Sequence, residues 1–209
     1  MDDVTVVVPA YDEAGRIGPV VRDLVDEYAV LVVDDGSTDA TAAEAEDAGA
    51  DVVRQPENAG YIRALKRGFR EATSEIVVTF DADGEHRPED VDRLVRPVRD
   101  GKLDLVLGAR STIPRPSERL LNELARLKID VRDSGTGFRA LRRELAVSLD
   151  LDTACTCGTF VLEAAANGAR IGEVPAETRS IQKPRGIAWK HGRQLFHVLR
   201  YLMLAPRRS

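Results

Sequence analysis

The sequence predicts an α/β fold: a doubly wound, mostly parallel twisted sheet with helices on both faces. Three observations predict it. Short β-branched runs alternate with longer helical stretches through the first hundred residues. The runs are nearly continuous in apolar residues, as parallel strands covered on both faces are. Four of them end in polar, charged turns, the position where open α/β sheets carry their ligand-binding residues.

In chain order, "VTVVVPA" (4–10), "AVLVVDD" (29–35), "ADVVRQ" (50–55), "EIVVTFD" (75–81) and "LDLVLGAR" (103–110) read as buried strands. Helices near 15–27, 39–49, 59–72 and 88–99 connect them, and right-handed βα crossovers make the sheet parallel. The turns "PAYDEA", "DDGSTD", "DADGE" and "GAR" then gather on one edge. Beyond residue 114 the rhythm changes. "PRPSERLLNELARLKID" is helical, "VRDSGTGFRAL" is a loop entering a short strand, a helix lies near 157–167, and "ARIGEVPA" (169–176) is a strand. With no internal repeat or low-complexity linker, residues 1–180 are expected to form one domain, followed by a C-terminal stretch, 181–209.

The 209 residues are 31% charged and 43% hydrophobic, as in an ordinary soluble protein. A net charge of -5 offers no overall basic footprint for nucleic acid. No G-x-G-x-x-G follows the first strand and no G-x-x-x-x-G-K-[ST] is present, which argues against dinucleotide and P-loop sites. The acidic, strand-like start "MDDVTVVVPA" is no secretory signal, and no run of about 18 apolar residues could span a bilayer. Cys155 and Cys157 are too few for a disulfide framework, and no other Cys/His pair has zinc-like spacing. A cytoplasmic location is expected.

In "DDGSTDAT", Gly36, Ser37 and Thr38 suit a tight strand-to-helix turn. That turn leaves Asp34 unexplained, because a lone carboxylate at a buried strand end is costly unless paired. An acceptor aimed at a nucleobase N–H is the functional alternative. In "DADGEHRPED", Asp81, Asp83 and Glu85 cluster within five residues. Clustered carboxylates suit Mg²⁺ or Mn²⁺, which also bind phosphate oxygens and neutralise a diphosphate leaving group. The competing account is a solvated acidic turn entering a helix at Pro88, with Glu89 and Asp90 at its N-terminus; it leaves the three earlier carboxylates unexplained. A phosphatase of the haloacid-dehalogenase type, with Asp81 as nucleophile, would need Thr at Glu85 and its motif on the first strand.

Taken together, "VVVPAYDEA", "VVDDGSTDAT", "ENAGYIRALKRGF", "DADGEHRPED", "GAR" and "DSGTGFRAL" resemble the family-2 glycosyltransferases with a GT-A fold. The D-A-D-G-x-H-x-P-E-D string and the D-x-x-x-G-F-R stretch are similar to dolichyl-phosphate mannose or glucose synthases. The resemblance covers residues 4–180. It implies an inverting hexosyltransferase that carries mannose or glucose from GDP-mannose or UDP-glucose to a polyprenyl or dolichyl phosphate. It further implies that Pro9, Tyr11 and Glu13 line the nucleotide pocket, with Asp35 near the base and Asp34 supporting it. Asp81 would sit by the sugar and ribose, and Asp83 and Glu85 would hold the metal. Arg110 and Arg139 match family arginines that handle phosphate, for which a guanidinium fork is chemically suited. His86 matches a position beside the metal loop. This chain departs from the pattern at Asp12 (usually Asn), Glu85 (commonly Gln), Tyr61 (often Lys) and Thr136 (usually Ser).

A polyprenyl phosphate is largely anionic near neutral pH, with a second pKa of about 6, and so needs no general base. A saccharide hydroxyl, the rival acceptor, would need one, for which an aspartate near residue 133 is the candidate. A nucleotide-sugar-binding protein without turnover, working with a membrane partner, is the alternative from another class. In the C-terminal stretch, helical spacing puts Lys190, Arg193, His197 and Arg200 in one stripe. Leu195, Leu199, Leu202 and Met203 lie opposite, with Trp189 towards the border. Such a helix either packs on the domain or lies in the interface of a membrane's cytoplasmic face, with Arg207 and Arg208 adding attraction to anionic head groups.

The carboxylate turn gives a first test. Asp83→Ala is expected to abolish metal-dependent nucleotide diphosphate binding in titration calorimetry while the circular dichroism spectrum stays native. Unchanged affinity in the presence of Mg²⁺ or Mn²⁺ would remove the metal assignment.

Overall fold

The computed structural model describes residues 3–113, 116–151, 156–179 and 191–204, without the side chains of 191–196 and 204. Cys155, Trp189, Lys190, Arg207 and Arg208 therefore lie outside the described residues, as do the side chains of Arg193 and Leu195. The strands are β1 (Val4–Ala10), β2 (Ala29–Asp34), β3 (Asp51–Arg54), β4 (Ile76–Thr79), β5 (Leu105–Arg110), β6 (Arg139–Arg142) and β7 (Ile171–Ala176). The helices are α1 (Ile17–Val25), α2 (Thr41–Asp47), α3 (Tyr61–Glu71), α4 (Val91–Arg99), α5 (Pro116–Arg126), α6 (Arg143–Ser148), α7 (Thr159–Ala166) and α8 (His191–Leu204). Each strand and helix expected before residue 110 is present, with ends moved by a few residues.

The strands form one sheet of order β3-β2-β1-β4-β6-β5-β7. All neighbours are parallel except β6, which runs antiparallel to both β4 and β5. The sheet is thus mostly parallel, as its apolar runs predict, with one reversed strand inserted between β4 and β5.

Alternation along β1 divides the core into two layers. Val4, Val6 and Val8 pack with Val20, Val21 and Leu24 of α1 and Leu94 and Val95 of α4. Val7 faces the other way, towards Leu65 and Phe69 of α3, in the layer that also holds α5, α6 and α7. Strands buried on both faces are nearly continuous in apolar residues, which is why β1 reads VTVVV; its one polar side chain, Thr5, is buried with its hydroxyl donating to Ser74 Oγ. Gly68 lets α3 lie flush on the sheet: a Cβ there would meet Val7 Cγ1 at 2.2 Å.

α8 packs on this second layer. Val198 is fully buried, Tyr201 and Leu202 are partly buried against the same cluster, and the helix contacts α5 and α7. Tyr201 Oη donates to Glu163 Oε2 at 3.0 Å, and the same carboxylate accepts the backbone N–H groups of Asp150 and Leu151. Burial and then the Glu163 charge push the Tyr201 phenol up to about 12. The inward face is therefore Val198, Tyr201 and Leu202. Leu199 and Met203, grouped by sequence with Leu202, are turned outward, 49% and 82% exposed.

Gly36, at φ +75°, meets two constraints at once, since a Cβ would also lie 2.6 Å from the backbone carbon of Glu57. Gly36→Ala is expected to destabilise the fold by about 2–4 kcal/mol, strain and overpacking together. Urea unfolding measures it, and a loss below about 0.5 kcal/mol would contradict this packing.

Candidate active site

The strand order reverses direction at β1, with β2 on one side and β4 on the other. Open α/β sheets place ligands in the crevice outside the strand ends at such a point. Pro9 fits there physically. It pairs with Val33 of β2, while the β1–β4 ladder has already ended at Val7 and Thr79. A residue without an N–H is tolerated where no partner strand asks for one.

The loops after β1 and β2 are knitted together. Asp12 N donates to Ser37 Oγ at 3.0 Å, Thr38 N to Asp12 Oδ1 at 2.9 Å, and Glu13 N to Thr41 Oγ1 at 2.8 Å. Asp12 has φ +50°, a conformation Asn and Asp adopt more readily than other side chains. Its carboxylate oxygen makes the contact to Thr38 that an Asn amide oxygen could equally make. Tyr11 projects from this loop, 43% exposed, and Glu13 faces Arg16 at 2.8 Å.

Asp34 and Asp35 are buried and paired. Asp34 accepts Ser37 N at 3.0 Å and Arg54 Nε at 3.2 Å. Asp35 accepts Gln55 Nε2 at 2.6 Å and the N–H groups of Ala59 and Gly60, each at 2.8 Å. Asp35 thereby fastens the entry of α3, a structural task with no local signal in the sequence.

Across the crevice, the chain leaves β4 through Phe80 into the carboxylate turn. Asp81 Oδ2 lies 3.2 Å from His86 Nε2. The His86 ring is 3% exposed and is stacked on Phe138 with centroids 4.8 Å apart, while Phe80 meets it edge-on. Gly137 makes room for Asp81, since a Cβ there would stand 2.5 Å from its Oδ2. Arg139, the first residue of β6, is fully buried; its guanidinium lies 4.3 Å from the Phe160 ring centroid and donates from Nη2 to Thr156 Oγ1 at 3.1 Å. Its Nε and Nη1 are buried and, among the described residues, have no hydrogen-bond acceptor. Tyr61, at the start of α3, joins this group. Desolvation and then the Asp81 charge push its phenol above the ordinary range, with Arg139 opposing.

On the other side of the turn, Asp83 is 8% exposed and its Oδ1 accepts Glu85 N at 2.9 Å. Glu85 lies within electrostatic reach of Arg110. Arg110 forks onto Asp133, Nε to Oδ2 at 2.7 Å and Nη2 to Oδ1 at 2.9 Å, and also reaches Glu118 at 3.3 Å. Burial works against the charge, yet the Asp133 fork and Glu118 raise its pKa above the ordinary value. Asp133 is fully buried with both oxygens on Arg110. It is not placed to take a proton from an acceptor hydroxyl, which corrects the expectation of a general base there.

Among the described residues no three side chains are arranged to hold a metal ion by themselves. The donor set suits a hard cation nonetheless. Mg²⁺ commonly uses one or two carboxylates and completes its shell with water and substrate phosphate oxygens. Asp83 and Glu85 are two such carboxylates in one short turn, with Arg110 within electrostatic reach of Glu85.

The structure thus groups Asp81, Asp83, Glu85, Arg110 and Arg139 on one side, and Pro9, Tyr11, Glu13, Asp34 and Asp35 on the other, all at the same sheet edge. Sequence reasoning missed Glu118 and Asp133 as the partners of Arg110. It also missed Gly137 as the seat of Asp81. A glycine two residues before the strand that opens at Arg139 was the available signal for the last.

The glycosyl transferase family 2 model matches residues 5–162. The undecaprenyl-phosphate mannosyltransferase of Micrococcus luteus is 32% identical over 204 residues, covering 82% of each chain. The dolichol-phosphate mannosyltransferase of Pyrococcus furiosus is 28% identical over 226 residues, covering 95% of this chain and 62% of that one. Among solved structures, glucosyl-3-phosphoglycerate synthase from Mycobacterium tuberculosis, in complex with Mn²⁺, UDP-glucose and phosphoglyceric acid, superposes with a TM-score of 0.79. At 24% identity, over 97% of this chain and 80% of that one, this likeness shows the fold.

The buried fork yields a prediction of its own. Asp133→Asn leaves a desolvated guanidinium with Glu118 as its nearest counter-charge and Glu85 acting electrostatically, and is expected to cost about 3–5 kcal/mol in urea unfolding. A cost below about 1 kcal/mol would mean that Arg110 is held by something else.

Proposed function

The chain belongs to glycosyl transferase family 2, and on that premise we propose that it transfers a hexose from a nucleotide sugar to the phosphate of a polyprenyl lipid. The observation that carries this reading is Arg139: a fully buried cation that acts together with Asp81 on the Tyr61 phenol, and whose Nε and Nη1 are buried without a well-formed hydrogen bond among the described residues. Unmatched buried donors are costly, and an anionic oxygen would satisfy them. The relatives that carry sugars to undecaprenyl and dolichol phosphates support the lipid acceptor. The Asp133 locked on Arg110 supports it too, because an acceptor that is already anionic needs no base.

In this reading the nucleotide lies across the loops after β1 and β2. Pro9, Tyr11 and Glu13 line it, Asp35 lies near the base, and Asp34 holds the turn that supports it. The sugar sits by Asp81, whose carboxylate is kept in place by His86 and by the room at Gly137. The diphosphate spans Asp83 and Glu85 on one side and Arg139 and Arg110 on the other. A divalent ion, Mg²⁺ or Mn²⁺, held by Asp83 and Glu85 would offset the charge of the departing diphosphate. The acceptor oxygen attacks the anomeric carbon opposite the leaving group. The new C–O bond forms as the bond to the donor phosphate breaks, and the anomeric configuration inverts. The protein supplies position and charge rather than proton transfer. GDP-mannose and UDP-glucose are the donors to try first, and the reaction takes place at a membrane's cytoplasmic face, where the lipid phosphate is presented.

Incubation of the chain with labelled GDP-mannose or UDP-glucose, a polyprenyl phosphate and Mg²⁺ or Mn²⁺ is expected to move label into the organic phase. Arg139→Met is expected to lower kcat/KM at least about a hundredfold, through loss of charge stabilisation at the phosphate. Label transferred to a saccharide and never to the lipid would overturn the acceptor. Full activity in Arg139→Met would overturn the role given to that residue.

A further inference from the structure

We infer that Asp90 is a positioning residue for the carboxylate turn: it clasps the chain as it leaves β7 and lays residues 177–179 along that turn. In the sequence Asp90 reads as an acidic residue at a helix N-terminus. In the structure it ends the 3₁₀ turn Pro88–Asp90 that leads into α4, yet its side chain makes no capping bond there. The residue is 5% exposed, and a buried carboxylate is costly unless paired. Its partners lie across the fold. Oδ2 accepts the backbone N–H of Glu177 at 3.0 Å, and Oδ1 lies 2.8 Å from Arg93 Nη1. The same Arg93 nitrogen donates to the Pro175 carbonyl at 3.0 Å. Asp90 and Arg93 thus hold the end of β7 on both sides of Ala176.

This clasp sits where β7 loses its neighbour. β7 is an edge strand paired with β5, and the ladder ends with Ala176 opposite Arg110. The next N–H, that of Glu177, lies past the ladder, and Asp90 takes it in a charge-assisted bond. Beyond the clasp the chain changes partner. His86 and Thr178 pair antiparallel, and Arg179 N donates to the Glu85 carbonyl at 2.8 Å. Arg87 also meets Glu177 at 2.8 Å, but both side chains are exposed, so this contact adds little.

The consequence falls on residues the proposed reaction uses. Glu85 has its N–H on Asp83 Oδ1 and its carbonyl on Arg179 N. Its backbone is therefore fixed from both sides, and only its side chain is left to turn towards a ligand. His86 has its ring on Asp81 and Phe138 and its backbone on Thr178. One three-residue stretch thus braces the metal-holding side and the sugar side of the turn together. Asp90 acts through that stretch rather than on a ligand itself. Groups that orient metal ligands from behind set metal affinity nearly as much as the ligands do. The inference rests on the proposed roles of Asp81, Asp83 and Glu85 for its purpose, but one of its readouts needs neither metal nor turnover.

Three variants of the full chain test it. Asp90→Asn keeps an oxygen for Glu177 N, and Asp90→Leu removes it at similar size. Arg179→Pro removes the N–H at the other end of the stretch, and carries the test if Asp90→Leu does not fold. Hydrogen exchange read by mass spectrometry is expected to be at least about tenfold faster over residues 82–87 and 177–179 in Asp90→Leu, with β1 and β2 unchanged. The Kd for Mn²⁺ with GDP or UDP present, read by electron paramagnetic resonance, is expected to rise about tenfold in Asp90→Leu and in Arg179→Pro. In Asp90→Asn it is expected to stay within about twofold of the wild type, because the acceptor is kept. Wild-type exchange over those residues in Asp90→Leu, or wild-type Mn²⁺ affinity in either Asp90→Leu or Arg179→Pro, would overturn the inference. So would an Asp90→Asn variant as impaired as Asp90→Leu, since the charge on Arg93 rather than the bond to Glu177 would then be what counts. A wild-type chain that binds no Mn²⁺ with either nucleotide would remove the metal reading, and the exchange rates would still decide the clasp.

Discussion

Because β6 runs against β4 and β5, its first residue rather than its last meets the carboxyl-terminal edge of the parallel strands. Arg139 is paired with Thr79 at the end of β4 and with Leu107 in β5. The loop that leads into β6 must then cross the very edge where the other strands deliver their polar turns. That single reversal places Asp133 on Arg110, Gly137 against Asp81 and Phe138 against His86. A parallel strand in the same place would point its first residue at the opposite edge, and none of these contacts would form.

The charges at this edge divide into those already matched and those that await a ligand. Asp34, Asp35 and Asp133 are buried and satisfied by protein donors, so their first task is to hold loops and an arginine. Buried ion pairs of this kind are weak evidence for stability but are costly to break, which makes them rigid fixtures. Arg139 is different in kind: buried, charged and short of acceptors. Asp81, which opens the carboxylate turn, acts with it on the Tyr61 phenol. A negatively charged diphosphate with a divalent ion answers both needs in a way that water or a neutral sugar alone does not.

Much of this was legible in the sequence because it is written in local patterns. β-branched runs ending in "DDGS" and "DADGE" specify strands and the edge they serve, since burial on both faces demands apolar residues throughout and ligand turns follow strand ends. What was not legible is long-range. The four residues of β6 carry no signal of strand direction, so an antiparallel insertion could not be read. Arg110 and Asp133 are far apart in the chain, and any of several acidic residues could have been the partner. On α8 the outward and inward residues are neighbours in sequence, and a rotation of about one residue exchanges Leu199 for Val198 at the packed face. Periodicity identifies such a helix but does not fix its rotation.

The central claim is that the atom accepting the sugar is a phosphate oxygen on a lipid. Phosphorus NMR of a reaction holding the chain, a nucleotide sugar, a polyprenyl phosphate and Mg²⁺ tests it most directly. The account predicts that the lipid monoester resonance is replaced by a phosphodiester resonance, in step with release of one nucleoside diphosphate per diester formed. Release of nucleoside diphosphate with the lipid monoester resonance unchanged would contradict it, because the sugar would then have gone to a hydroxyl or to water.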